Sequence, residues 1–234
     1  MMKLVLFDID GTLIDTGGAG VAAMNAAFCE LFPAVAEAFP GRPFDGIRMA
    51  GRTDPEIVAD ALVKHGIGAG GMAGAFMDIY VRHLGAFIEN PAKRLKPGVK
   101  EALNALSVVQ ADFCLGLLTG NIERGARIKL EPFGLNGYFG VGAFGSDSAD
   151  RNSLLPIALN RFNRMPDGNG RVSAGDCVVV GDTPRDVECA KLHGARAIAV
   201  ATGRYTAAEL LRTEADHVLE DLGNTSFFLK CLDL

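Results

Sequence analysis

The sequence predicts an α/β protein, a doubly wound parallel sheet with an inserted α-helical cap, and three observations lead there. Short aliphatic runs recur along the chain, and the central ones are apolar throughout instead of alternating, as strands covered on both faces are. Helical patterns separate these runs, which calls for right-handed crossovers between parallel strands. One long interval after the first strand holds helical patterns only.

The first strand is "KLVLF" at 3–7. From Asp15 to about residue 91 no strong strand signal occurs, only helical patterns such as "GVAAMNAAFCELF", "DPEIVADALVKHG" and "GAFMDIYVRHLGAFIE", punctuated by "PGRPFDG" and "GIGAGG". This interval, residues 15–91, is expected to be a helical cap, and residues 1–14 and 92–234 an α/β core. "PGVKEALNALSVV" opens with a proline near the first turn and repeats apolar residues at three and four. The strands "FCLGLL" (113–118), "YFGVGAF" (138–144, the weaker one) and "CVVVG" (177–181) follow. They are trailed in turn by the helical patterns "NIERGARIKLEPF", "RNSLLPIALNRF" and "TPRDVECAKLHG", the last ending on Gly194 as a C-cap. "RAIAV" (196–200) is a further strand and "DHVLEDL" (216–222) a candidate edge strand. The glycine-rich "DGNGRVSAGD" at 167–176 precedes a strand instead of following one, so it reads as a loop and not as a phosphate cradle.

Composition narrows the function classes. Of the 234 residues 49% are hydrophobic, enough for a substantial core, yet no apolar stretch approaches the roughly 18 residues of a membrane span. "MMKLVLF" runs straight into acids without a small-residue cleavage site, unlike a signal peptide. The five cysteines are odd in number and scattered, which suggests reduced thiols in a cytoplasmic protein. A net charge of −5 without basic runs argues against nucleic acid as a partner.

Ligands of doubly wound sheets bind outside the carboxyl ends of the strands, and the residues there are informative. The first strand delivers Asp8 and Asp10, which alternation would point the same way. The second delivers Thr119, Gly120 and Asn121, and the fourth Asp182, Thr183 and Asp186. Arg151 stands ahead of the helix between the third and fourth strands. Asp, Asn and Thr at such junctions are often plain helix caps, and a lone arginine is most often a solvated surface group. A cap, however, needs one carboxylate and not the pair Asp8 and Asp10. With Asp182 added, the oxygen-rich set suits Mg2+, which binds through one or two carboxylates and keeps places for water and phosphate. An insertion after the first strand would sit over this site as a lid.

"DIDGTL", "LLTGN", a cation in the right interval and "GDTPRD" resemble, in order, the four motifs of the haloacid dehalogenase-like superfamily. The insertion after the first motif is similar to the helical cap of its phosphoglycolate phosphatase and β-phosphoglucomutase-like branch. The third motif usually supplies a lysine, and the matching position here is Arg151, which can neutralise phosphate bidentately. The resemblance implies a Rossmann-like core and a Mg-dependent phosphatase. Asp8 would be the nucleophile that forms an aspartyl-phosphate, and Asp10 the general acid and then base. The metal would be held by Asp8, the Asp10 backbone carbonyl and Asp182, with Asp186 and Thr183 in support. Thr119, Gly120, Asn121 and Arg151 would bind the phosphoryl oxygens. Dehalogenases displace halide and typically lack the second aspartate, so phosphatase fits better than the superfamily name.

In this branch the cap reads the substrate, which draws attention to Arg48, Gly51 and Arg52 in "RMAGRTDPE". Arginines in such a loop are as often solvated surface groups, but an Arg52 facing the core would favour a small phosphate ester with a second anionic group, phosphoglycolate being one. The expected partner is therefore a small phosphorylated metabolite, the expected assembly a monomer or homodimer. A phosphoglucomutase-type phosphoryl transferase would use the same residues with a sugar hydroxyl as acceptor. A non-catalytic receiver or binding module ranks lower, because receivers carry neither D-x-D at the first strand nor a large helical insertion.

Overall fold

The computed structural model describes residues 2–68, 72–108, 113–165 and 171–234. β1 (Lys3–Phe7) is followed by a two-residue strand β2 (Ile14–Asp15) and the helices α1 (Ala19–Leu31), α2 (Pro33–Ala38), α3 (Asp54–Lys64) and α4 (Ala73–Phe87). Then come β3 (Arg94–Leu95), α5 (Val99–Val108), β4 (Phe113–Thr119), α6 (Glu123–Leu130), β5 (Val141–Phe144) and α7 (Leu154–Asn163). The chain ends with β6 (Cys177–Gly181), α8 (Pro184–Leu192), β7 (Arg196–Val200), α9 (Ala207–Leu210), β8 (His217–Leu219) and α10 (Thr225–Cys231).

Among the described residues the main sheet has six parallel strands in the order β5-β4-β1-β6-β7-β8. β1 is central, and its continuous apolar run is explained by burial on both faces. Val5 and Phe7 pack with Leu103 and Leu106 of α5, Leu130 of α6 and Phe228 of α10. Leu4 and Leu6 pack on the opposite face with Leu154 and Phe162 of α7 and Val187 of α8. The order reverses beside β1, where β4 lies on one flank and β6 on the other, so the loops after β1, β4 and β6 open at a topological switch point. The edge strand expected near 216–222 is β8, and Gly194 takes the left-handed conformation (φ 73°) expected of a C-cap.

The helices after β2 have an apolar cluster of their own. Met24 and Phe28 of α1, Ile57 and Val58 of α3, and Phe76, Tyr80 and Leu84 of α4 meet there, with Phe44 between them and Ile122 reaching in from the sheet side. Chain passage into and out of these helices runs through the antiparallel pair β2 and β3 (Ile14 opposite Leu95). The start of α3 docks on the sheet's loops: Asp54 N–H donates to the Gly120 carbonyl (2.8 Å), and Thr53 Oγ1 donates to the Ala149 carbonyl (2.7 Å).

Sequence patterns missed β2, β3, α2 and the short helices α9 and α10. Two-residue strands have no measurable alternation, and α2 buries none of its six residues, so it carries no apolar stripe. Part of the glycine-rich 167–176 stretch and the end of "GIGAGG" lie outside the described residues. From Ala174 the former runs through a single 3₁₀ turn into β6.

Candidate active site

β1 stops at Phe7, and the chain turns at once. Asp8 N–H still donates to the Val180 carbonyl (2.9 Å), whereas Leu13 and Ile14 N–H both return to the Ile9 carbonyl. The extended alternation therefore does not reach Asp10, and the two carboxylates, although they line one cavity, have different partners. Both nevertheless face that one cavity, as expected from the sequence, and the Asp10 charge adds to the upward push on the Asp8 carboxyl.

Asp8 is buried and faces Arg151 Nη2 at 3.1 Å. Arg151 starts a 3₁₀ turn ahead of α7 and also pairs with Asp186 Oδ1. Asp186 Oδ2 accepts from Thr183 N–H (2.9 Å) and Thr183 Oγ1 (2.7 Å), so these two residues do cap α8 as well as bordering the site. Asp182 accepts from Thr12 Oγ1 at 3.1 Å. Gly11, at φ 90°, lies so close that a Cβ there would come within 2.4 Å of Asp182 Oδ2, which only glycine permits.

The carboxylates of Asp8, Asp182 and Asp186 can bring oxygens within 4.8 Å of one another, all three buried. Arg151 pairs with Asp8 and Asp186 only, so among the described residues three acids meet one guanidinium and Asp182 has no cationic partner in contact. Burial pushes the Asp8 carboxyl up to about 6; Arg151 opposes this, while Asp186 and Asp10 add to it. Burial also holds Asp182 well above the usual carboxylate range, with Asp8 and Asp186 reinforcing the shift. A hard divalent cation fits this donor set of carboxylate oxygens, because it would supply the missing positive charge.

Asp10 does not join that cluster through its side chain. Its Oδ2 accepts from Lys129 Nζ (2.6 Å) and from Asn121 Nδ2 (2.8 Å). Asn121 also accepts from Lys129 Nζ through Oδ1 (2.5 Å) and donates to Thr119 Oγ1 (2.9 Å), which ties the end of β4 to Asp10. Lys129 was not foreseen. Its signal was present, since Ile122, Ala126, Lys129 and Leu130 recur at helical spacing and place a lysine on the buried stripe of α6. Burial pulls the Lys129 ammonium down, but Asp10, Tyr80 and Asp54 outweigh it and hold it up.

Two further residues escaped the sequence. Asp54, at the start of α3, accepts from Ile122 N–H (2.9 Å), and burial pushes its carboxyl up to about 6 against the pull of Lys129. Tyr80 is fully buried, and its hydroxyl has no hydrogen-bond partner among the described residues. Asp54 looked like an ordinary first-turn acid and Tyr80 like a core aromatic, so neither carried a usable signal.

Met49, Ala50, Gly51 and Arg52 of the cap loop all line the cavity. Gly120 sits so near the Arg52 carbonyl that a Cβ at 120 would lie 2.1 Å from that oxygen. The Arg52 guanidinium itself, just ahead of α3, pairs with Glu56 (2.8 Å) and Asp60 (2.6 Å) of that helix. Gly51 packs against Thr183, whereas Arg48 is exposed and borders a separate depression with Asp60 and Lys64. The partly open cavity is about 190 Å³, with Asp8, Asp10, Thr119, Asn121 and Arg151 toward the sheet and Val21, Met24, Met49 and Ile57 toward the helices.

Known proteins resemble this chain in sequence and in fold. A phosphoglycolate phosphatase of Vibrio cholerae is 28% identical over 227 residues, covering 95% of this chain and 94% of that protein. Another phosphoglycolate phosphatase, from Agrobacterium fabrum, is 29% identical over 232 residues, covering 94% and 89%. The crystal structure of CbbY from Rhodobacter sphaeroides in complex with phosphate superposes with a TM-score of 0.71 at 20% identity, over 95% of this chain and 96% of that one. The family model for haloacid dehalogenase-like hydrolases matches residues 2–194, a span that takes in the cap, the three buried acids and Arg151. On these grounds the chain belongs to the haloacid dehalogenase-like hydrolases.

Proposed function

We propose that this hydrolase is a magnesium-dependent phosphatase that hydrolyses a small phosphate monoester through an aspartyl-phosphate on Asp8. The observation that carries the reading is the set of three buried acids, two of them paired to one guanidinium, at the floor of a cavity between the sheet and the helices. An Asp8 oxygen attacks phosphorus, and the bond from phosphorus to the ester oxygen breaks with its electron pair on that oxygen. Asp10 gives the leaving oxygen a proton. In the second half Asp10 takes a proton from the water that attacks the aspartyl-phosphate, which releases inorganic phosphate and restores Asp8. Thr119, the N–H groups of Gly120 and Asn121, and Arg151 bind the phosphoryl oxygens.

Mg2+ would be held by Asp8, Asp182 and the Asp10 backbone carbonyl, with Asp186 in support through Thr183 and Arg151. When bound, the ion supplies positive charge that offsets repulsion between the nucleophile and an anionic phosphate. Residues 15–91 serve as the cap that encloses the ester and excludes water. A cavity of about 190 Å³ suits a leaving group of a few heavy atoms. The names of the relatives make phosphoglycolate the first ester to assay. All five cysteines are free, in keeping with a reducing compartment, and we assign the protein to the cytoplasm. No helix among the described residues is long and apolar enough to cross a membrane.

Hydrolysis of p-nitrophenyl phosphate with and without Mg2+ tests the reading. Multiple turnovers that stop on chelation are expected. A single phosphorylation without turnover would mean a receiver, and metal-independent turnover would remove the role given to the acid cluster.

A further inference from the structure

The reaction above asks Asp10 to exchange protons at one defined oxygen, and the structure contains a device for presenting it. Every protein partner of the Asp10 carboxylate among the described residues sits on Oδ2: Lys129 Nζ at 2.6 Å and Asn121 Nδ2 at 2.8 Å. Oδ1 is left for the substrate. Lys129 is in turn braced by Asn121 Oδ1 at 2.5 Å, so ammonium, amide and carboxylate form a closed triangle. A carboxylate held at one oxygen by a charged and a neutral donor has lost the rotation that would blur the position of the other.

The triangle is built on the sheet side, but the cap covers it. Lys129 keeps only 6% of its side-chain surface exposed. Three separate cap helices close over it: Gly20 of α1, where a Cβ would lie 3.3 Å from Lys129 Nζ; Asp54 of α3; and Tyr80 of α4, with its unpartnered hydroxyl. Asp54 is also the residue that docks α3 on the loop after β4, through its N–H to Gly120 and its carboxylate to Ile122. Water reaching an ion pair weakens it severalfold relative to a buried one. In this structure the ammonium end of the pair is shielded from water by these helices, while Asp10 keeps 41% of its side-chain surface open toward the cavity.

We propose that Lys129, shielded by residues of three cap helices, is the positioning residue for Asp10. This rests on the phosphatase reading above. Lys129 acts through Asp10 and touches no bond that breaks; its removal should therefore act on the proton transfer and not on phosphate binding.

Lys129→Met keeps the length of the side chain and removes the ammonium. Steady-state kinetics would be compared on an alkyl ester, glycerol 1-phosphate, and on p-nitrophenyl phosphate, whose leaving group needs little protonation. The expected result is a kcat lowered on the order of 10–100-fold for the alkyl ester, a clearly smaller loss for the aryl ester, and KM unchanged within about threefold. Lys129→Met combined with Asp10→Ala should be no slower than Asp10→Ala alone, because the two residues act as a unit. Gly20→Ala, a helix-favouring change that presses on Nζ from the cap, should give the same leaving-group dependence on a scale of a few-fold, and it covers the case in which Lys129→Met does not fold.

Additive losses in the double variant, or equal losses on both esters with a lowered Tm, would overturn the proposal in favour of a structural lysine. A rise in KM confined to a carboxylated ester would overturn it in favour of a substrate-binding cation. The phosphatase reading fails separately: it fails when the wild type does not turn over p-nitrophenyl phosphate, whereas an active wild type with the outcomes just named refutes only the role of Lys129.

Discussion

Replacing Asp8 by asparagine should abolish turnover and at the same time stabilise the magnesium-free protein. Asp8 is buried among like charges, and its carboxyl rises from the ordinary 3.8 to about 6. Each pKa unit corresponds to roughly 1.4 kcal/mol, so an ionised Asp8 costs the folded protein about 3 kcal/mol relative to its neutral form, which the amide imitates. Below about pH 4 the carboxyl is protonated in both states and the cost vanishes. Between about pH 4 and 6 the unfolded chain ionises while the folded site keeps its proton, so wild-type stability falls as pH rises. Above about pH 6 the folded site ionises too and the full cost is present. For a chain of this size about 3 kcal/mol corresponds to roughly 5–10 °C in Tm. Thermal unfolding in EDTA from pH 4 to 8 should show Asp8→Asn above wild type by this amount at pH 7.5, with the gap closing toward pH 4. Added Mg2+ should raise wild-type Tm and narrow the gap, since a ligand of the native state stabilises by mass action. An Asp8→Asn protein less stable than wild type at pH 7.5 would refute the reasoning, because the Arg151 pair would then outweigh burial and repulsion.

Three other outcomes are expected. Asp182→Asn should raise the Mg2+ concentration for half-maximal rate at least about tenfold, as a neutral amide replaces an anionic ligand, and an unchanged requirement would remove Asp182 from the metal site. Gly120→Ala should leave the far-UV circular dichroism unchanged but lower kcat/KM on the order of 10–100-fold, because the new Cβ would lie 2.1 Å from the Arg52 carbonyl and hold the cap off the sheet. Arg52→Ala should lower Tm by a few degrees, yet change the kcat/KM ratio between phosphoglycolate and p-nitrophenyl phosphate less than about threefold, since Glu56 and Asp60 occupy the guanidinium; a selective loss of tenfold or more on phosphoglycolate would show that Arg52 leaves those partners for the substrate.

Much of this was legible in the sequence for identifiable physical reasons. Strands buried on both faces read as unbroken apolar runs, so β1, β4, β6 and β7 could be located from composition alone. Strand–helix alternation put the carboxyl ends of the strands on one edge, and with them Asp8, Thr119, Asn121, Arg151 and Asp182, because those residues stand immediately after strands or at a helix start. The conformation of Asp10 was not legible: a turn closed by the Ile9 carbonyl decides it, and backbone hydrogen bonds within a turn leave no periodic trace. Arg52 shows the converse limit. Its position in the cap loop was evident, but its partners are set by competition among Glu56, Asp60 and the site, which spacing does not rank. Lys129 lay in plain view as a lysine on an apolar stripe, and only the packing of α1, α3 and α4 over it reveals what it faces.

The central claim is a covalent phosphoryl group on Asp8, and a rapid acid quench tests it most directly. Enzyme mixed with excess p-nitrophenyl phosphate and Mg2+ would be quenched within one turnover, digested with pepsin at low pH, and its phosphopeptide identified by mass spectrometry. One phosphoryl group on the peptide containing Asp8, absent from the Asp8→Asn variant and from enzyme quenched after substrate is exhausted, is the predicted result. An active enzyme that shows no protein-bound phosphate at any quench time, or carries it on a residue other than Asp8, would contradict the mechanism.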